Sequence, residues 1–190
     1  MCTNKNIKCI AIVALLATIV ATASAQEPTK QDYKVAKKQA KEMKKEGWKN
    51  NPGGLSLVEQ IARSNCTIRN KEIWLTGLGK STGSIESVVR KEALFDAKIE
   101  LVKAIIKAAG ENISVNDKQG VLTAKTFHEE DKGIYANEIR HPDIITDCYK
   151  NEEDGNITVL IRVALSKEES MRSYERMNGL YEKLYKNKKE

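Results

Sequence analysis

The sequence predicts an α+β domain: a small, mainly antiparallel sheet packed on one long central helix, with flanking N- and C-terminal helices. Three stretches carry that prediction. Residues 85–109 keep apolar side chains at helical spacing around most of their circumference. Residues 144–165 alternate as two strands about a short polar turn, and residues 71–79 alternate as a third strand.

The segment before the domain has a different character. Lys5 and Lys8 precede an apolar run from Cys9 to Ala21, and Ala23-Ser24-Ala25 follows. A basic start, a short apolar stretch and an A-x-A end have the form of a cleaved secretory signal. The run is shorter than the ~20 residues of a membrane-spanning helix. The chain is therefore read as a signal peptide over 1–25, an N-terminal helix and linker over 26–55, and a single α+β domain with a C-terminal helix over 56–190. The expected location is periplasmic or secreted and associated with the cell envelope, with no transmembrane segment after cleavage. Lys8 stands where a lipobox needs a small residue before Cys9, and no cysteine follows the apolar run, which argues against lipid anchoring.

Removal of Lys5 and Lys8 takes the formal charge of the 190-residue chain from +6 to +4. The remaining excess is concentrated near the ends. Lys30, Lys34, Lys37, Lys38, Lys41, Lys44, Lys45 and Lys49 face only Asp32, Glu42 and Glu46, and Lys183, Lys186, Lys188 and Lys189 lie in the tail. Interleaved acids and little arginine or aromatic content argue for solvated helix faces and against nucleic-acid binding. Contact with an anionic surface is the alternative. Of the four cysteines, Cys66 and Cys148 remain after cleavage, and in an exported chain they form a candidate disulfide.

The elements follow in chain order. Thr29 and Asp32 make an approximate capping box for a helix over 29–47, with a thin alanine-rich stripe that places it on the outside of the domain. A short helix is expected over 56–63. The strand over 71–79 runs into Lys80–Gly83 as a loop, with Ser84 capping the long helix. On that helix Ile85, Val88, Val89, Phe95, Ile99, Val102 and Ile106 share one face, and Glu92, Asp96 and Glu100 form a charged strip read as a solvent edge. Residues 111–140 fit a broken helix or a loose strand. In the hairpin, Ile157, Val159, Ile161, Val163 and Leu165 face one way and Thr158, Arg162 and Ala164 the other, so this strand is central. From Ser166 a helix carries Met171, Tyr174, Met177, Tyr181, Leu184 and Tyr185 as a stripe. That stripe either packs on the domain or, through Tyr174, Met177, Tyr181 and Leu184, forms an interface.

Catalytic chemistry finds little support. Gly77-Leu78-Gly79-Lys80-Ser81 imitates a phosphate loop, but Trp74 stands where the first Walker glycine belongs and Thr82 where a dinucleotide loop has its third. A tight turn is the simpler reading. Gly77, Gly79, Lys80, Ser81, Ser84 and Trp74 are kept as a candidate anion or ligand loop. His128 and His141 sit among acids and prolines without a nucleophile's family signature beside either cysteine. No catalytic residue, metal ligand or cofactor is expected.

Lys45-Glu46-Gly47-Trp48, Pro52-Gly53-Gly54-Leu55-Ser56-Leu57, the long helix with Ala93, Ala97-Lys98 and Leu101, and the hairpin with Asp147-Cys148-Tyr149 together resemble a group of exported Bacteroides-type proteins of unknown function. That group is distantly similar to the small envelope lipoprotein family of Helicobacter. The resemblance implies an envelope location and an α+β domain, and it transfers no catalytic residues. The resulting expectation is a non-enzymatic envelope protein, structural or protein-binding, whose partner is an envelope protein or a second copy. The alternative is a small-ligand or glycan-binding module using a cleft near Trp74 and the Gly77–Ser84 loop.

Overall fold

A computed structural model of the chain describes residues 27–112 and 121–186. The expected signal segment and the lysines at 188 and 189 lie outside the described residues. Helices α1 (Lys30–Lys45) and α2 (Leu57–Arg69) flank the two-residue strand β1 (Lys49–Asn50). Strand β2 (Trp74–Gly83) leads into the long helix α3 (Glu86–Asn112). A single 3₁₀ turn (Glu129–Asp131), the short helix α4 (Lys132–Asn137), strands β3 (Asp143–Asn151) and β4 (Ile157–Ser166), helix α5 (Lys167–Tyr181) and a π-helical turn (Glu182–Lys186) complete the described order. The strands form one antiparallel sheet in the order β1-β3-β4-β2, so β4 is interior and β2 is a long edge.

Each face of the sheet supports its own core. On one side Val159, Ile161, Val163 and Leu165 of β4 meet Ala93, Ala97, Leu101 and Ile105 of α3 and Met177 of α5. Alternation along β4 sends all four aliphatics to this side. On the other side Ala36 and Ala40 of α1 and Leu57, Ile61 and Ala62 of α2 close over Trp48 and Cys148. The chain is thus an α+β domain with its long helix central to one face and the α1–α2 hairpin on the other.

Gly77 and Gly79 set the spacing between β2 and α3. A Cβ added to Gly77 would lie 2.0 Å from the carbonyl oxygen of Ala97, and one on Gly79 would lie 1.9 Å from that of Ala93. Neither overlap can be relieved by rotating a side chain, because the opposing atoms are helix backbone. The two glycines and the two alanines, both fully buried, are therefore one close-contact seam. This seam corrects the expected loop. Lys80 to Gly83 continue the strand, paired with β4 from Trp74↔Ser166 to Gly83↔Ile157. It also trims the expected inward face of α3. Val89, Ile99, Val102 and Ile106 are buried as expected, together with Ala93, Ala97 and Leu101, while Ile85, Val88 and Phe95 are exposed. Small residues displace the larger apolar ones from the contact because the strand beneath them has no side chains to hold the helix away.

Residues 70–73 form a hydrogen-bonded turn, which delays β2 to Trp74, and the Ile85 carbonyl accepts from the Val88 and Val89 amides, so α3 starts from Ile85 and not from Ser84. Helix α2 runs on to Arg69, well beyond the expected end near residue 63. Within the ambiguous 111–140 stretch, residues 113–120 lie outside the described residues, and the described part forms turns and α4. Its core contributions are Leu122, Tyr135 and Ile139.

One ion pair ties the α1–α2 hairpin together. Arg69 at the end of α2 donates to both carboxylate oxygens of Asp32 in the first turn of α1, at 2.5 and 3.0 Å. Thr29 completes a capping box with the same carboxylate. The Arg69 guanidinium and then the Thr29 donors hold Asp32 down from 3.8 to about 2, against the opposing effect of burial. A carboxyl that binds its proton less readily when folded stabilises the fold fully above its unfolded pKa and loses that contribution as pH falls through the folded value. The stability difference between wild type and Asp32→Asn is therefore expected to be constant above about pH 4 and to shrink as pH drops from about 4 towards 2. Urea titrations of both proteins across that range check it. A difference independent of pH would place the contribution outside the ionised carboxylate.

Candidate functional groove

The α1–α2 hairpin covers only part of its sheet face. Gln60 of α2 fixes its position over β3: its amide donates to the Leu55 carbonyl at 2.7 Å, and its oxygen accepts from the Asp147 amide at 2.8 Å. Between the hairpin and the uncovered β4–β2 side lies an open groove of about 790 Å³. Met43 of α1, Ile61 and Ile68 of α2, and Leu160 and Leu78 of the sheet give it apolar walls. Ser64, Asn65 and Thr146 add neutral polar groups, and Lys38, Lys41, Glu42 and Glu46 stand along α1. Of these charges, Glu42 is engaged by Lys45 at 3.1 Å. Gln39 and Asn65 join α1 to α2 at 2.8 Å.

Arg162 also lines this groove. It sits on interior strand β4, with Leu78 of β2 and Thr146 of β3 as its cross-strand neighbours. Its side chain extends towards the β2 edge, where it also lines a shallow depression with Thr76, Glu100 and Lys103. Arg162 is half-buried and makes no hydrogen bond or ion pair among the described residues. Burial alone pulls its pKa below the ordinary arginine value, with no carboxylate acting against it. By contrast, Arg90, also half-buried, binds Asp147, Asn51 and Glu86.

The residues singled out in the sequence are dispersed. Gly77 and Gly79 face α3 and are occupied by the close seam. Ser81 donates to Glu92 of α3 at 2.7 Å, while Lys80 and Ser84 are exposed. Trp74 begins β2 opposite Ser166 and does not line the groove. The seven residues from Gly77 to Gly83 thus form no loop that could cradle an anion. Leu78, which shares the Trp74 face by alternation, is the part of this strand that reaches the groove.

Cys66 and Cys148 are both buried thiols, and no disulfide joins them. Their sulfurs have different surroundings: Cys148 Sγ points at the Leu160 carbonyl, 3.9 Å away, and Cys66 Sγ lies 3.5 Å from the Asn70 amide. Burial pushes the Cys148 thiol up to about 12, which suppresses the reactive thiolate. Tyr174 and Met177 are buried in the main core, and Tyr174 donates its hydroxyl to the Leu122 carbonyl at 2.7 Å. They are therefore not available to a partner. Tyr181 and Leu184 are half-buried, with Tyr181 against the Tyr185 ring. Glu92, Asp96 and Glu100 are exposed along α3, as a solvent edge would be.

His128 stacks on Tyr185 at 4.9 Å, and His141 occupies a left-handed turn position with φ of 46°. Neither histidine and neither cysteine lines the groove. Among the described residues no cluster of three or more His, Cys, Asp or Glu is placed to hold a metal, and no helix is long and apolar enough to cross a membrane.

The fold and this site define an α+β domain with an arginine-floored groove between a helical hairpin and its sheet. Comparison with protein-family models, with curated proteins and with solved structures found no match.

Sequence reasoning placed Arg162 correctly on the outward face of β4 but gave it no role. The available signal was its setting: one arginine within Val159–Leu165, a run otherwise wholly aliphatic. An interior strand rarely carries a charge without a partner, so such a residue points to a ligand.

Proposed function

We propose that the protein is a non-enzymatic, exported binding protein of the cell envelope that takes a small anionic ligand in the groove beside Arg162. The leader-like pattern over residues 1–25 supports the location. The observation that carries the binding reading is Arg162 itself. A half-buried guanidinium without an internal partner is costly, and an anion entering the groove would complete it. Its seat on an interior strand gives a rigid recognition point. This favours ligand binding over a purely structural role, and it moves the expected cleft from Trp74 to the Leu78–Arg162–Thr146 row.

Fluorescence titration with anilinonaphthalene sulfonate, an anionic apolar dye, tests the reading. Wild type is expected to show one saturable site. Leu78→Glu would place a carboxylate directly across the strand from Arg162 and occupy it internally, so the dye should bind at least about tenfold more weakly. Absence of saturable binding by wild type, or unchanged affinity in Leu78→Glu, would remove the groove as the site.

A further inference from the structure

We infer that the ligand is a free single-chain amphiphile, an aliphatic chain ending in a carboxylate, with Arg162 reading the head and the groove walls taking the chain. The inference rests on the proposed binding role and specifies its ligand class.

Two features of the groove define the head. Among the described residues lining the groove, Arg162 is the one cation on the sheet; its cross-strand neighbour Thr146 is a neutral donor, and Ser64 of α2 adds another to the lining. A guanidinium offers two parallel N–H groups, which match the two oxygens of a carboxylate. Glu42, engaged by Lys45, and Glu46 stand on the facing helix; the carboxylate of Glu46 opposes a ligand with a second negative charge, which disfavours a phosphate dianion. Lys38 and Lys41 stand on the same helix and can attract a monoanion without fixing its geometry.

The tail follows from what surrounds that point. Leu78 and Ile68 are among the exposed large hydrophobic residues of the protein, at 40% and 36%. Both line the groove, Ile68 from α2 and Leu78 from β2, together with Ile61 and Leu160. Water over such a surface is displaced favourably by a chain of methylenes. A volume of about 790 Å³ lies within the range of sites that hold one small molecule. A recess between two layers suits one extended chain, whereas a bilayer would need a convex or flat apolar surface.

Displacement of the bound dye by dodecanoate, dodecanol and acetate separates these contributions. Dodecanoate is expected to displace it at least about tenfold more effectively than either of the others, and each methylene added between acetate and dodecanoate should tighten binding, up to about fourfold per group. In Arg162→Met the advantage of dodecanoate over dodecanol should vanish, and Arg162→Lys should restore part of it. Equal displacement by dodecanol would show that the head is not read, and equal displacement by acetate that the walls are idle. Either result overturns this ligand class while leaving the groove as a site. Cosedimentation with phosphatidylglycerol vesicles, in the absence of displacement by dodecanoate, would overturn it in favour of a membrane surface. Failure of the dye itself to bind would instead count against the binding role. The wild-type comparisons need no variant, so the inference stays falsifiable if Arg162→Met folds poorly.

Discussion

Gly79→Ala is expected to destabilise the protein by about 4 kcal/mol, an unusually large effect for adding one methyl group. The new carbon would meet the Ala93 carbonyl oxygen at 1.9 Å and the Ala97 amide nitrogen at 2.4 Å. Both are helix backbone, so relief requires α3 to lift from β2. That movement would open the largest contact of the main core, where Ala93, Ala97 and Leu101 are fully buried. Against a total stability of roughly 5–15 kcal/mol for a domain, the melting temperature should fall by about 8–16 °C. Gly110→Ala is the internal comparison. Gly110 lies in the same helix with open space around it, so alanine there should stabilise by less than about 1 kcal/mol. Melting curves of the two variants check both statements. Similar small effects at the two sites would mean that β2 and α3 are not in backbone contact.

Arg162→Met has the opposite balance, with stability gained and binding lost. Methionine keeps an unbranched chain over Leu78 and Thr146 but removes the half-buried charge. No carboxylate or hydroxyl among the described residues is left unpaired by the change, because none binds Arg162 now. Removal of an uncompensated charge is therefore expected to stabilise the fold by about 0.5–1.5 kcal/mol. The same change should weaken dye binding at least about tenfold, since the apolar walls alone remain. A residue retained at a cost to stability is characteristic of a binding surface.

The legible parts of the fold were those governed by one periodicity. Ile157, Val159, Ile161, Val163 and Leu165 recur at every second position, and the structure places β4 in the interior with those five in or against one core. Thr29 with Asp32 marked one helix start and Ser166 another; in the structure the Thr29 and Ser166 side chains accept from the Asp32 and Glu169 amides. The less legible parts depended on a second element pressing on the first. Gly77 and Gly79 look like a turn when read locally, because nothing nearby in sequence reveals that Ala93 and Ala97 will lie against them. The same blindness put Phe95 inside α3's buried face, where a helix of this composition allows several orientations and only the glycine seam selects one. In the ambiguous 111–140 stretch no single period picks out the inward side chains, and there Ile134 is exposed while its neighbour Tyr135 is fully buried.

The groove was illegible for a related reason. It is bounded by α1, α2, β3, β4 and β2, and its floor joins Leu78, Thr146, Leu160 and Arg162 from three strands. Alternation told which face each side chain takes, but not that the α1–α2 hairpin leaves a groove between itself and the sheet. The lysines of α1 were legible as an exposed basic stripe, and the structure adds that two of them border the groove.

The melting temperature of Arg162→Met, measured beside wild type with no ligand present, tests most directly the claim that Arg162 is there to bind and not to hold the fold. The expected value is about 1–6 °C above wild type. A value several degrees below wild type would show that Arg162 supports the native structure, and the groove would lose the observation on which its function rests.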